Sequence, residues 1–297
     1  MFKKLAAVLA LALALTGCSE APKQWTAGDG PIKIVTSTNV WGSVANLVAG
    51  KHATVTAIIS NTNQDPHSYE ASARDQLLIE DADIVVMNGG GYDDFMEKLV
   101  EADDTPAILV NAYMASGDDE TRNEHIWYDV DQVGDVAAVI AGAVEAVDAS
   151  LFDEAFANVD VIRAELAKRK ATLESMKSAG SCGKVFATEP LIDYLLEDAG
   201  CENVTPVAYS EAIEEERDVP PAVMEESREL VKSGLSFIAY NSSVQSSQID
   251  ELLAASPNDT PAYGFSELLP QDPDTFEYFG DYFMMLDNAI TMVSGKF

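Results

Sequence analysis

LFDEAFANVDVIRAELAKRKATLESMKS, residues 151–178, decides how the rest of the chain is read. It holds neither glycine nor proline. Leu151, Phe152, Ala155, Phe156, Val159, Ile162, Leu166 and Leu173 fall near one face at helical spacing. Its 28 residues, at about 1.5 Å of rise each, predict a rod of about 42 Å, enough to span two lobes. Together with the residues before it, the segment 134–178 reads as a stiff connector, unlike a flexible linker.

On either side of this rod the chain alternates short Ile/Val-rich runs with helical ones. Ahead of it, IKIVTST (32–38), ATVTAIIS (53–60), DIVVMNGG (83–90) and PAILVNAY (106–113) are separated by VWGSVANLVAG, SARDQLLIEDA and YDDFMEKLVEA. Behind it, KVFATE (184–189), VTPVAYS (204–210), LSFIAYNS (235–242) and PAYGFSELL (261–269) read as strands. Helical runs lie between them, and the last, FEYFGDYFMMLDNAITMVSG, closes the chain. The rhythm predicts an α/β protein of two lobes, 32–133 and 179–297, with mainly parallel sheets flanked by helices. One long rigid helix joins the lobes, and ligands are expected in the crevice at the carboxyl ends of the strands.

The first residues, MFKKLAAVLALALALTGCSE, carry two lysines, a short apolar run and small residues, which is the pattern of a secretory leader. LTGC resembles the bacterial lipoprotein cleavage box, which implies removal of residues 1–17 and lipid on Cys18. Residues 18–31 read as a flexible tether. No later run is apolar enough to span a bilayer, so the expected mature protein is soluble apart from its anchor. Loss of Lys3 and Lys4 takes the formal charge from −32 to −34. Such a surface repels nucleic acid and anionic lipid, and attracts cations without selecting among them. Cys182 and Cys201 remain, each just ahead of an apolar run. Export makes them a candidate disulfide, which neighbouring parallel strands would bring together.

Only three histidines occur in 297 residues. His52 sits beside Lys51 at a turn without acidic neighbours. His67, in QDPHSYEAS (64–72), follows a strand and precedes a helix. His125, in RNEHIWYDV (122–130), also lies in a polar loop opening toward a helix. Neutral imidazole is a common metal ligand, and two in the loops of one lobe point to a metal site.

DPHSYEAS and NEHIWYDV resemble the two histidine motifs of the zinc/manganese class of ABC-transporter solute-binding lipoproteins. VVMNGGGYDDFMEKL is similar to that family's strand, Asn-Gly turn and helix, and the likeness runs from about residue 32 to the end. Ala71, Glu124 and Val130 stand where the motifs usually carry proline. The resemblance implies that Glu189, before Pro190 in VFATEPLIDYL, is the third ligand. It places the fourth at Glu267 in YGFSELLP, with Asp272 and Asp274 as alternatives. The implied site therefore holds one divalent Mn²⁺ or Zn²⁺ ion between His67 and His125 of the first lobe and Glu189 and Glu267 of the second. Two neutral imidazoles and two carboxylates neutralise a dication, so the ion can sit in a closed crevice. AYMASGDDETRNE lacks the histidine-rich loop frequent in zinc-specific relatives, which tilts the expectation toward manganese or a broad Mn/Zn role.

The implied function is capture of a divalent metal outside the cytoplasm and its delivery to the membrane subunits of an ABC permease. The expected protein is a monomer tethered to the membrane through Cys18. A metalloenzyme would need an open coordination position and a nearby general base, and no His-Glu-x-x-His pattern occurs. A binder of organic solutes would show arginine and aromatic residues in the crevice loops, whereas the few basic residues lie mostly on predicted helices. A surface adhesin is the remaining alternative. The Gly89–Gly91 run lacks the spacing and lysine of a phosphate loop. Asn241, in AYNSSVQSSQ, reads as part of a polar strand-to-helix loop with a capacity to hydrogen-bond metal ligands.

Overall fold

The computed structural model describes residues 30–62, 64–103, 105–117, 123–244, 246–269 and 281–295. The leader, Cys18, Asp272 and Asp274 lie outside the described residues.

The first lobe runs β1 (Ile32–Thr38), α1 (Asn39–Ala49), β2 (Ala53–Ile59), α2 (Ala73–Glu80), β3 (Ile84–Met87), α3 (Asp94–Asp103), β4 (Ile108–Asn111) and α4 (Ala112–Ala115). Its four strands are all parallel in the order β2-β1-β3-β4, with Ile34 paired to Val55 on one side and Ile84 on the other. Such a sheet is covered on both faces, so β1 and β3 are apolar runs and not alternating ones. Ile32, Ile34, Ile84 and Val86 pack with α1 and its Trp41, while Val35, Val85 and Met87 pack with Phe95, Met96 and Leu99 of α3.

Two helices follow, α5 (Val133–Val147) and α6 (Phe152–Ala179). The 28-residue α6 is the predicted rod, displaced by one residue, and it stops at Gly180, whose φ of +57° suits a left-handed helix cap. Ala155, Val159, Ile162, Leu166 and Leu173 are buried as expected, but Phe152 remains exposed and stacks on Phe156 at 4.8 Å. The buried stripe belongs to one apolar cluster that continues from β1 of the first lobe into the second. Charged contacts add to it. Lys170 Nζ lies 2.7 Å from both Asp131, ahead of α5, and Asp198 of the second lobe. His52, without acidic neighbours in sequence, meets Glu154 of α6 at 3.0 Å.

The second lobe comprises β5 (Lys184–Ala187), α7 (Asp193–Ala199), β6 (Glu202–Asn203), α8 (Val207–Glu214), α9 (Pro221–Val231), β7 (Phe237–Asn241), α10 (Ser247–Ala255), β8 (Ala262–Phe265) and α11 (Tyr282–Ser294). Its order, β6-β5-β7-β8, repeats that of the first lobe. A disulfide joins Cys182 and Cys201, which precede the paired strands β5 and β6 at their amino ends.

One expected strand is corrected. VTPVAYS is not a strand: β6 stops at Asn203, and α8 begins at Val207 with Pro206 as its cap residue. Proline's fixed φ and missing N–H suit it to a helix start and not to a ladder. Tyr209, Ala212 and Ile213 then bury one face of α8 against Phe186.

Candidate metal centre

Both histidine loops are held by short polar contacts. The backbone N–H of His67 donates to Asp65 Oδ1 at 2.9 Å. Farther along, Ser72 and Asp75 form a reciprocal capping box at the start of α2, and the Tyr69 hydroxyl donates to Asp75 Oδ2 at 3.0 Å. These bonds tie down the stretch in which Ala71 stands where the motif usually has proline. The second loop is tied down by Asn88, whose Nδ2 donates to the Glu124 carbonyl at 3.0 Å. Asn88 and Gly89 in turn donate their backbone N–H groups to Asp93 at 2.7 and 2.8 Å. Gly89 has a φ of +78°, and a Cβ there would run into Asn111, so the turn requires glycine.

His125 is fully buried. Its Nδ1 lies 2.7 Å from Asn123 Oδ1, a carbonyl that can only accept, so Nδ1 donates there and Nε2 is the ring nitrogen turned to the crevice. That Nε2 receives no hydrogen bond. A buried ring nitrogen without a hydrogen-bond partner is costly unless something else, such as a cation, meets it.

His67 Nε2, His125 Nε2 and a carboxylate oxygen of Glu214 converge within 4.8 Å of one another. Glu214 Oε1 is 3.3 Å from His67 Nε2 and 3.4 Å from His125 Nε2. Ligand atoms about 2.0–2.1 Å from a tetrahedral ion stand roughly 3.3–3.4 Å apart, so this spacing suits shared coordination. The rings are walled by aromatics: Tyr92 meets His67 edge-on at 4.9 Å, and Trp127 meets His125 at 5.1 Å.

Glu214 is the residue that sequence reasoning missed. It ends α8, the helix that had been read as a strand. In EAIEEERD it has carboxylate neighbours at 211, 215, 216 and 218, and nothing local distinguishes it from them. The one available signal was the helical spacing of Tyr209, Ala212 and Ile213, which places Glu214 next to a buried stripe.

Glu189 and Glu267 are both nearly buried, at 4% and 5% exposure. They lie two residues beyond β5 and β8. Asn241 Nδ2 donates to Glu189 Oε2 at 2.9 Å and also to Glu267 Oε1. Glu189 Oε1 has no partner, whereas Glu267 Oε2 accepts the Tyr92 hydroxyl at 3.0 Å. The Glu267 segment is further docked on the first lobe. Leu269 exchanges two hydrogen bonds with Asn39 at 2.9 and 3.0 Å, and Tyr128 donates to the Ser266 carbonyl at 2.8 Å.

The electrostatics follow from crowding charges in a crevice where His125, Glu189 and Glu267 are buried and His67 is exposed. Burial alone would lower the His67 pKa, but the hydrogen bond and charge of Glu214, with Glu267 and Asp65 behind it, raise it to about 9. Burial and then the charge of Glu214 push the Glu189 carboxyl up to about 8, against the Asn241 hydrogen bond. Glu267 is raised, chiefly by burial. Glu214 resists its own burial and is lowered through its bond to His67 and the nearby imidazoles.

Two parallel-sheet lobes on a helical spine, with imidazoles of one lobe meeting a carboxylate of the other, define a two-lobed solute-binding protein with a candidate metal centre in its crevice. The chain belongs to the family described as zinc-uptake complex component A, periplasmic, which it matches over residues 34–295. Members of this family are solute-binding proteins and not enzymes. Two curated relatives are manganese-binding lipoproteins named MntA. That of Halalkalibacterium halodurans is 31% identical over 138 residues, covering 45% of each chain. That of Bacillus subtilis is 28% identical over 134 residues, covering 42% of this chain and 43% of the relative. The aligned stretch thus spans a little under half of either relative. The fold is that of the periplasmic zinc-binding protein TroA from Treponema pallidum. The TM-score is 0.73 at 16% identity, over 90% of this chain and 99% of that one.

Proposed function

We propose that this protein is the extracytoplasmic solute-binding component of an ABC importer, which captures one Mn²⁺ or Zn²⁺ ion between its lobes and delivers it to the membrane permease. The observation that carries this reading is the buried Nε2 of His125, without a hydrogen-bond partner, fixed by Asn123, beside His67 of its own lobe and facing Glu214 across the crevice. Family membership and the manganese-binding relatives support the same direction. His67 and His125 supply nitrogen and Glu214 the carboxylate oxygen that lies within 4.8 Å of both; Glu189 and Glu267, which fall outside that three-residue cluster, are the further oxygen ligands. With all three carboxylates ionised the site would carry more charge than a dication neutralises. Burial and the neighbouring charge of Glu214, which raise the Glu189 pKa to about 8, are in keeping with that crowding.

Lipid on Cys18 would tether the monomer to the outer face of the membrane, where a permease collects the ion. Imidazole suits zinc and carboxylate oxygen suits manganese, and zinc binds a given site more tightly across the divalent series. Metal identity therefore has to be read at the concentrations the host provides. Elemental analysis of protein purified from its own host under metal limitation, with calorimetry of His67→Ala, tests the reading. One ion per chain and at least a tenfold affinity loss are expected. Binding of Mn²⁺ and Zn²⁺ unchanged by the substitution would remove the site assignment.

A further inference from the structure

Asn241 occupies a position that the sheet order makes special. In the second lobe β7 lies between β5 and β8. Glu189 is two residues past the end of β5, Glu267 two residues past the end of β8, and Asn241 is itself the last residue of β7. The central strand therefore delivers Asn241 between the two carboxylates, at 1% exposure. Its amide orientation is set from the other side. Oδ1 accepts the backbone N–H of Ser243 at 2.9 Å, so Nδ2 must face the glutamates. Both hydrogens of that group are donated, one to Glu189 Oε2 and one to Glu267 Oε1.

We propose that Asn241 is a positioning residue, one that yokes Glu189 and Glu267 into a single oriented carboxylate pair and so sets the oxygen side of the metal site. The inference rests on the metal-centre reading of the crevice. Two buried carboxylates repel, and left alone they would splay apart. A neutral amide shared between them offsets the repulsion without adding a charge that the ion would have to displace. Together with Tyr92 it engages both oxygens of Glu267 and one of Glu189, leaving Glu189 Oε1 as the unengaged oxygen of the pair. The yoke orients the glutamates before the ion arrives. Groups that orient metal ligands in this way typically alter affinity by ten- to a hundredfold when removed.

The test is titration of the full mature chain with Mn²⁺ alone, by calorimetry, with the electron paramagnetic resonance spectrum of the Mn²⁺-saturated protein as a second readout. Asn241→Leu keeps the volume and removes the donors. It is expected to weaken Mn²⁺ binding at least tenfold and to change the zero-field splitting of the bound ion, because the oxygen ligands are no longer held in one geometry. Should that variant fail to fold, Asn241→Asp keeps the shape, exchanges the donor for a fourth carboxylate in the crevice, and is expected to show both changes. Wild-type affinity in either folded variant overturns the inference. So does weaker binding with an unchanged spectrum at saturation, the mark of a merely structural residue. A wild-type protein that binds neither Mn²⁺ nor Zn²⁺ instead removes the proposed function.

Discussion

Asn123 Oδ1 lies 2.7 Å from His125 Nδ1 and also accepts the His125 backbone N–H at 2.9 Å. One side-chain carbonyl thus sets the tautomer of the ring and the turn that carries it. The same side chain reaches the other lobe, its Nδ2 donating to the Pro190 carbonyl at 2.6 Å, next to Glu189. The Tyr194 hydroxyl of α7 returns a bond to the Asn123 backbone carbonyl at 2.7 Å. His125 is therefore oriented by a residue that both lobes hold.

Asn123→Ala should lower Mn²⁺ affinity about ten- to a hundredfold, because the ring loses the acceptor that keeps Nε2 free. Asn123→Asp keeps that acceptor and should retain more affinity than the alanine variant. Calorimetric titration of both checks this. Equal affinities in the two variants would show that the acceptor does not matter.

The stability of the metal-free protein should fall as pH rises from about 6.5 to 9. The folded His67 pKa, about 9, lies above the ordinary imidazole value of 6.5. A raised imidazole pKa contributes stability that is complete below 6.5 and is lost as pH climbs through 9. Glu189, raised to about 8 from 4.5, acts in the same direction: its contribution is complete below 4.5 and is lost as pH climbs to about 8, the lower part of that window included. Thermal melts of chelator-treated protein between pH 6 and 9.5 read the slope. Glu214→Gln should flatten it, and a melting temperature that rises over this range would count against the His67–Glu214 pairing.

Metal binding should expel protons at pH 7, because His67 is protonated there in the metal-free crevice and an imidazole ligand must be neutral. Calorimetry in two buffers of different ionisation enthalpy gives the proton count. At least one proton released per ion is expected, and none released would argue against His67 as a ligand. Free ion at a hundred times its dissociation constant should also stabilise the fold by about 2.7 kcal/mol. For a chain of this size that corresponds to a rise in Tm on the order of 5–10 °C, reversed by chelator.

Reduction of the Cys182–Cys201 disulfide should weaken the fold and leave the site alone. The cysteines are 19 residues apart at the amino ends of β5 and β6, whereas Glu189, Asn241 and Glu267 lie at the carboxyl ends of the sheet. A loop of this length predicts a loss of roughly 3 kcal/mol on reduction. Melting under reducing agent should show it, with Mn²⁺ affinity changed less than twofold. A larger affinity change would mean that the two ends of the sheet are coupled.

Local patterns in the chain were enough for the spine, the strand-helix rhythm and the two histidine loops. Each is a short-range property: a glycine-free run with a helical apolar stripe, apolar runs of strand length, a rare residue in a polar turn. Glu189 and Glu267 came into view only through the family resemblance, because a carboxylate just beyond a strand is by itself an ordinary solvated group. Local pattern failed at VTPVAYS, where apolar residues around a proline suit a strand end or a helix start equally well. Only packing of Tyr209, Ala212 and Ile213 against the sheet decides for the helix. That decision selects Glu214 from a run of equivalent acids, because one helical face alone meets the histidines across the crevice. Asn241 is similar. Its role exists only because the sheet order sets β7 between β5 and β8, and strand order is a long-range choice that no neighbouring residues encode. Sequence thus determined which chemical groups were available, while tertiary structure decided which of them share a site, since proximity between lobes depends on how whole elements pack.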